Sequence, residues 1–272
     1  PTLAKDNQLI NSLSPSEKQW LIENPVIKLG VDRAFPPFGS ITEQNEYVGF
    51  TADYMNLISE RLGIEFEVSK EASWNQTISL ARSGEIDMIA GLVNTSERQS
   101  YLDFSPVYVE TPAIIINEGL KNGYLGSISN LKDKTVAVEK GSFISDMLSK
   151  EYPSIKQLQV KNTELALSMV AGDSADAYIG NAATASFIIK KMGLHSLFYA
   201  GTTPYSSNHS IGIVKTNPML TSVIIKALDS IDFKTRDSIA DKWFGMQIHP
   251  HIQRSTAIGL AIIAFIALAL SA

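Results

Sequence analysis

Twice along this chain a helical stretch ends at a glycine and runs straight into a short apolar segment with an aspartate near its start. The two segments are residues 74–91, WNQTISLARSGEIDMIAG, and residues 163–180, TELALSMVAGDSADAYIG; Asp87 and Asp176 each stand four residues before a glycine. A helix feeding a short buried strand is the repeating unit of a mainly parallel sheet covered by helices on both faces. Two such segments, far apart in sequence, read as two similar α/β lobes.

The rest of the chain follows the same alternation. Alternating β-branched residues predict strands over 26–31 and 64–68, and the continuous apolar run at 86–93 predicts a buried one. Tyr54, Leu57, Ile58 and Leu62 share one helical face, so residues 51–62 read as a helix closed by Gly63. Ser73 caps a second helix over 74–82, closed by Gly84. A strand at 113–116 leads out of this unit, and the polar, glycine-containing residues 118–129 read as a boundary. A second series follows, with strands at 135–138, 155–160 and 177–179 and helices at 143–149, from 162 to before Gly172, and at 182–192. A strand at 210–214 and helices over 219–231 and 235–243 complete it. At the other end, Ser14-Pro15-Ser16-Glu17 is a capping box with proline at the first helical position, which predicts a helix to about residue 23. Residues 1–12 are polar without a clear period and read as a loose leader.

Composition narrows the function. With 272 residues, two lobes are plausible, and 44% hydrophobic against 19% charged residues suits a folded protein. The net charge of −5 gives nucleic-acid binding no electrostatic support. The absence of cysteine excludes disulfides, thiolate metal sites and a cysteine nucleophile, and fits a periplasmic protein. His195, His209, His249 and His251 are scattered, and neither a phosphate loop nor a nucleophile elbow is present, so no metal, cofactor or catalytic residue is expected. Residues 256–272, TAIGLAIIAFIALALSA, carry no charge and are still apolar where the sequence stops. A membrane span needs about 20 such residues, so this run reads as a truncated transmembrane helix.

The chemistry concentrates after the 86–93 strand. Asn94-Thr95-Ser96-Glu97-Arg98 reads as the start of a short helix capped by Thr95, with Arg98 in its first turn. Arg98 therefore lies just past the carboxyl end of a buried strand, the edge where open α/β sheets hold ligands. Its planar guanidinium matches a carboxylate. The proline-stiffened residues 32–38, DRAFPPF, lie past another strand end.

These pieces resemble a family. The carriers are residues 27–38 with their PPF, Val48-Gly49-Phe50, residues 84–91, Thr95-Ser96-Glu97-Arg98, and Asp103-Phe104-Ser105-Pro106 with Tyr108. Residues 131–138, residues 172–181 and Lys242-Trp243-Phe244-Gly245 continue the match. In this order and spacing they resemble the extracytoplasmic solute-binding proteins of family 3, the two-lobed, polar amino-acid-binding Venus flytraps, over about residues 25–245. The leading helix and the apolar C-terminal run resemble one branch, the periplasmic sensor domains of membrane-bound histidine kinases and related signalling proteins.

The resemblance implies an α/β periplasmic-binding-protein fold of type II. Its first lobe would be residues 14–112 plus 210–247 and its second 118–205, joined by hinge strands at 113–116 and 210–214 and followed by a membrane helix at 256–272. It implies a small-molecule ligand between the lobes, anchoring in the bacterial inner membrane, and a homodimer in the full-length receptor. Arg98 would take the ligand carboxylate; Asp32 and Phe35 match first-lobe cleft positions, with Phe35 over the apolar part of the ligand. Trp74 is either beside them or in the core. Gly91 and Val93 bound the backbone stretch that lines the site, and Gly141-Ser142 at a helix start would offer N–H groups to an anion.

Two positions depart from the family pattern. Val93 stands where the family commonly has a hydroxyl, and Asn181 where it commonly has the aspartate that takes the ligand ammonium group. Asp176 reads as a capping or packing residue. The expected ligand is therefore a carboxylate or neutral polar solute in preference to a standard α-amino acid. Two other functions fit less well: a tethered binding protein of an amino-acid ABC transporter, and an enzyme of the dehydratase or transglycosylase-associated kind.

Overall fold

The computed structural model describes residues 7–70, 72–119 and 123–244. The chain opens with α1 (Asn7–Ser12) and α2 (Pro15–Glu23), then β1 (Val26–Gly30). A small antiparallel sheet of β2 (Ala34–Phe35), β3 (Gly39–Ile41) and β4 (Tyr47–Val48) follows. Next come α3 (Phe50–Leu62), β5 (Glu65–Val68), α4 (Trp74–Ser83), β6 (Met88–Val93) and β7 (Leu102–Phe104). β8 (Val109–Glu118) crosses to the second lobe, which holds β9 (Gly126–Ser127), β10 (Thr135–Glu139), α5 (Phe143–Glu151), β11 (Lys156–Val160), α6 (Thr163–Ala171), β12 (Ala177–Asn181) and α7 (Ala182–Met192). β13 (Leu197–Val214) returns, and α8 (Pro218–Asp229) and α9 (Phe233–Phe244) pack on the first lobe.

Each lobe has a parallel core: β1 pairs with β5 and β6, and β10 pairs with β11 and β12. The apolar face of α3 buries Tyr54, Met55, Ile58 and Leu62 against β1, β6 and α8. In the second lobe, Ile144 and Leu148 of α5 pack with Val136, Val138 and Ile179, and α6 packs Leu167 and Val170 beside Ile188 of α7.

The lobes are joined by two long antiparallel strands. β13 pairs with β8 from Leu197 to His209 and with β6 from His209 to Ile213. The crossing itself is residues 109–112 opposite 206–209, in the register Pro112 to Ser206, Thr111 to Ser207, Glu110 to Asn208 and Val109 to His209. The stretches expected to be hinges, 113–116 and 210–214, are instead where each strand enters a lobe: 113–116 pairs with β12, and β13 joins β6 and β7 beyond His209. Residues 197–209, LFYAGTTPYSSNH, mix polar residues with glycine and proline. They carry no alternation from which an 18-residue strand could be read.

The leader is a correction. Residues 7–12 form a helix, and Leu9 and Leu13 are buried in the first-lobe core. The capping box is formed as expected: Ser14 N–H donates to Glu17 Oε2 at 2.6 Å, and Glu17 N–H donates to Ser14 Oγ at 3.2 Å. Glu17 also reaches α8, where its carboxylate accepts from Lys226 Nζ at 2.8 Å and Ser222 Oγ at 2.6 Å. Burial alone would raise this carboxyl, but the Lys226 ammonium and the other donors outweigh it and hold the group at about 2. Glu17 is therefore expected to stabilise the protein above about pH 4.5 and to lose that contribution as pH falls towards 2. Glu17→Gln is expected to cost about 1–3 kcal/mol at neutral pH, read by urea unfolding; an unchanged midpoint would refute the link.

α9 is fixed to the first lobe. Asp53 Oδ2 on α3 accepts from Lys242 Nζ and Trp243 Nε1, both at 2.7 Å, and Phe244 packs against Phe38 and Phe50. Among the described residues no helix is long and apolar enough to cross a membrane. The run at 256–272 lies outside the described residues.

Candidate functional site

The carboxyl ends of β1 and β6 in one lobe and of β10 and β12 in the other converge on one cavity between the lobes. Its walls include all eight residues singled out from the sequence: Asp32, Phe35, Trp74, Gly91, Val93 and Arg98 on the first-lobe side, Ser142 and Asn181 on the second.

Arg98 is 3% exposed. The short helix expected after Thr95 is a single 3-10 turn, Arg98–Ser100, and the Thr95 hydroxyl accepts the Arg98 N–H at 3.3 Å. Its Nη1 donates to the Val93 carbonyl at 2.8 Å, and its Nη2 donates across the cavity to the Gly141 carbonyl at 3.0 Å. A guanidinium has five N–H groups, so donors remain for a carboxylate. Trp74 lies beside it, its ring 5.7 Å from the guanidinium carbon, and donates from Nε1 to the same Gly141 carbonyl at 3.1 Å. Trp74 is thus both buried and part of the cavity wall. Two first-lobe side chains therefore grip one second-lobe carbonyl.

The apolar wall is Phe35, stacked on Phe38 at 5.0 Å between ring centres, with a cis peptide bond between Pro36 and Pro37. Gly91 has φ +73°, and an added Cβ would lie 3.1 Å from both Thr51 Oγ1 and Tyr108 OH, which bond each other at 3.0 Å. Glycine suits both the left-handed backbone and the lack of room.

The second-lobe residues are more committed. Ser142 caps α5, accepting the Ser145 N–H at 3.2 Å. Asn181 caps α7 through Oδ1, which accepts from Ala183 N–H at 2.9 Å and Thr184 N–H at 3.1 Å. Its Nδ2 donates to Thr111 Oγ1 on β8 at 2.9 Å. Both ends of this amide already serve the fold.

The cavity also contains residues the sequence reading passed over. Glu139, the last residue of β10, is buried, with Thr163 Oγ1 at 3.5 Å from its Oε2. Burial pushes its carboxyl well above the usual range, and the charge of Asp32 adds to the rise. Asp32 keeps part of its surface on the cavity, yet burial pushes it up to about 6 against the opposing N–H of Ala34 at 2.9 Å. His209 is buried on the crossing strand, 5.5 Å from the Phe35 ring. Burial and then the charge of Arg98 hold it down to about 3, so it is neutral at physiological pH. An acid at the carboxyl end of the otherwise apolar TVAVE, two residues before the Gly141-Ser142 already marked, was a usable signal for Glu139. No pattern marks His209.

A two-lobed α/β fold, hinged by two strands and with an arginine between the lobes, defines a solute-binding protein of the Venus-flytrap class. The chain belongs to the bacterial extracellular solute-binding proteins, family 3, whose sequence model matches residues 27–246. It is 29% identical over 238 residues to the virulence sensor protein BvgS of Bordetella pertussis, covering 87% of this chain and 19% of BvgS. The chain thus spans about a fifth of that relative's length. It is 24% identical over 222 residues to ABC transporter arginine-binding protein 1 of Escherichia coli, covering 80% of this chain and 90% of that protein. The crystal structure of the Bordetella pertussis BvgS periplasmic VFT2 domain superposes with a TM-score of 0.76 at 28% identity, covering 85% of this chain and 99% of that one.

Proposed function

We propose that this chain is the periplasmic ligand-sensing domain of a transmembrane signalling receptor, a sensor histidine kinase, and binds a small polar solute between its lobes. The observation that carries this reading is the cavity walled by both lobes, with Arg98 touching each. Arg98 takes a ligand carboxylate, and Phe35 and Trp74 cover its apolar part. Residues 14–112 with 210–247 move as one lobe and 118–205 as the other. A ligand that contacts both lobes favours the arrangement that brings them together and shifts the population towards it. Kinship with BvgS over 87% of this chain supports a sensory role.

In this reading residues 256–272 cross the inner membrane, and two receptors form a homodimer. Because α9 is bonded to Asp53 of the first lobe, that lobe is held to the span while the second swings. Residues 245–255 then transmit the motion. Inserting a flexible Gly-Ser segment at Pro250 of the full-length protein is expected to uncouple signal output and leave ligand affinity unchanged. If output still follows ligand with the insertion in place, a tethered binding protein serving an amino-acid transporter becomes the better account. The similarity to an arginine-binding transport protein favours that second reading.

A further inference from the structure

Three features of the cavity meet one ring cluster in the first lobe. The Phe35 ring lines the cavity and stacks on Phe38 at 5.0 Å. His209, on the crossing strand, lines the cavity too and stands nearly perpendicular to Phe38 at 4.8 Å. Gly91 backs onto Tyr108 OH, and the Tyr108 ring lies parallel to that of Phe50, 6.1 Å away. Phe38 and Phe50 are 1% and 2% exposed and meet each other edge-on at 6.2 Å. Both then end on one residue. Phe244, in the last turn of α9, has its ring 5.2 Å from Phe38 and 4.8 Å from Phe50.

A second observation concerns the helix that carries Phe244. No residue of α9 is buried. The helix lies on the first lobe through the half-buried Ile239, Ala240, Trp243 and Phe244 and through the Asp53 bonds near its end. An element held by so few buried groups has low local stability and can loosen while the core beneath it stays folded. The preceding helix, α8, is by contrast seated in the core through Leu220, Val223 and Ile224.

We propose that this ring cluster is a relay, which couples the state of the cavity wall to the docking of the last turns of α9. The relay rests on the reading of the cavity as the ligand site and supplies the way the first lobe reports its filling. Interior rings are close-packed and hold to a few relative orientations. Phe38 therefore cannot follow Phe35 or His209 without moving against Phe244. A solute lying on Phe35 closes the open side of that ring and steadies Phe38; an empty cavity leaves it unsupported. Docked and loosened α9 are the two states, and each end of the path biases the other. The relay works inside the first lobe, and a swing of the second lobe reaches it through His209.

The test needs no ligand, so its failure is distinct from failure of the cleft reading, which Arg98→Ala decides. Hydrogen exchange of the intact protein at pH 7 is followed by mass spectrometry over α8 and α9, with a thermal melt for each variant. Phe35→Ala, which removes the cavity end of the path, is expected to speed exchange in the last two turns of α9 at least threefold and to leave α8 unchanged. Phe35→Leu, which keeps apolar bulk but no ring, is expected to act in the same direction and serves where Phe35→Ala fails to fold. Phe38→Leu is expected to give the same acceleration, and adding Phe35→Ala to it no more, because the path is already broken. Leu92 lines the same cavity but packs in a separate core cluster with Ile89 and Leu102, so Leu92→Ala is expected to leave α9 unchanged. Unchanged exchange of α9 in both Phe35 variants would overturn the relay and leave the ligand cleft standing. So would equal acceleration of α8 and α9, additive effects of the Phe35 and Phe38 substitutions, or the same acceleration from Leu92→Ala, each of which means loosening without a path.

Discussion

Arg98→Ala is expected to remove binding of carboxylate ligands while the protein still folds. The guanidinium is almost fully buried and is the one cation among the eight sequence-marked cavity residues. Deleting one partner of a desolvated charge pair costs about 2–5 kcal/mol, or roughly 30-fold to a few thousand-fold in Kd. Folding survives because Arg98's two side-chain hydrogen bonds go to backbone carbonyls and not into either apolar core. The Gly141 carbonyl also keeps its bond from Trp74. Removing a buried charge further relieves its desolvation cost. Arg98→Lys keeps the charge but loses the planar fork, so most of the affinity should go with it. Titration of wild type and both variants with the same carboxylate probes decides the matter, and unchanged affinity would take Arg98 out of the site.

Without added ligand, the stabilising contribution of Asp32 and Glu139 is expected to be lost as pH rises from about 4 to about 7. Burial raises Asp32 from its ordinary 3.8 to about 6, and Glu139 lies well above its ordinary value. Such groups hold protons more tightly in the folded chain than in the unfolded one. Their favourable contribution is complete below the unfolded value and is lost as pH climbs through the folded one. For Asp32 the loss is at most about 3 kcal/mol. Glu17 acts in the opposite sense and in a lower window, between about 4.5 and 2. His209 also opposes the loss: held down from 6.5 to about 3, its burial is penalised at low pH and the penalty is relieved as pH rises through about 6.5. Asp146, also raised by burial, adds to the same fall, so Glu139→Gln is the informative comparison. That variant is expected to flatten the profile between pH 5 and 7 and to melt above the wild type at pH 7. Melting curves from pH 3 to 8 on both proteins provide the check; parallel curves would exclude a coupled pair.

Much of the architecture was legible because it rests on local signals. The Ser14–Glu17 capping box, the left-handed glycines 63 and 84 at helix ends, and the apolar run into Val93 each act within a few residues. Arg98 was legible for the same reason: a strand end and the Thr95 hydroxyl suffice to hold it at the cleft. The repeat of helix, glycine and strand announced two lobes before any contact between them was known. The family resemblance added roles for Asp32, Phe35 and Trp74 that periodicity alone could not supply.

What the tertiary structure decided depends on partners distant in sequence. Residues 7–12 have little helical signal, and Leu9 and Leu13 hold them against the core through apolar burial. β13 runs through 18 residues because β8 and then β6 supply its hydrogen bonds, whatever its own propensity. Asn181 matches the family's ammonium-binding position by sequence, but the start of α7 and Thr111, 70 residues away, claim its amide. Glu139 and Asp32 are more than 100 residues apart, and each alone is an ordinary acid at a strand end. Only folding puts them in one cavity, where burial raises both carboxyls and the charge of Asp32 raises Glu139 further.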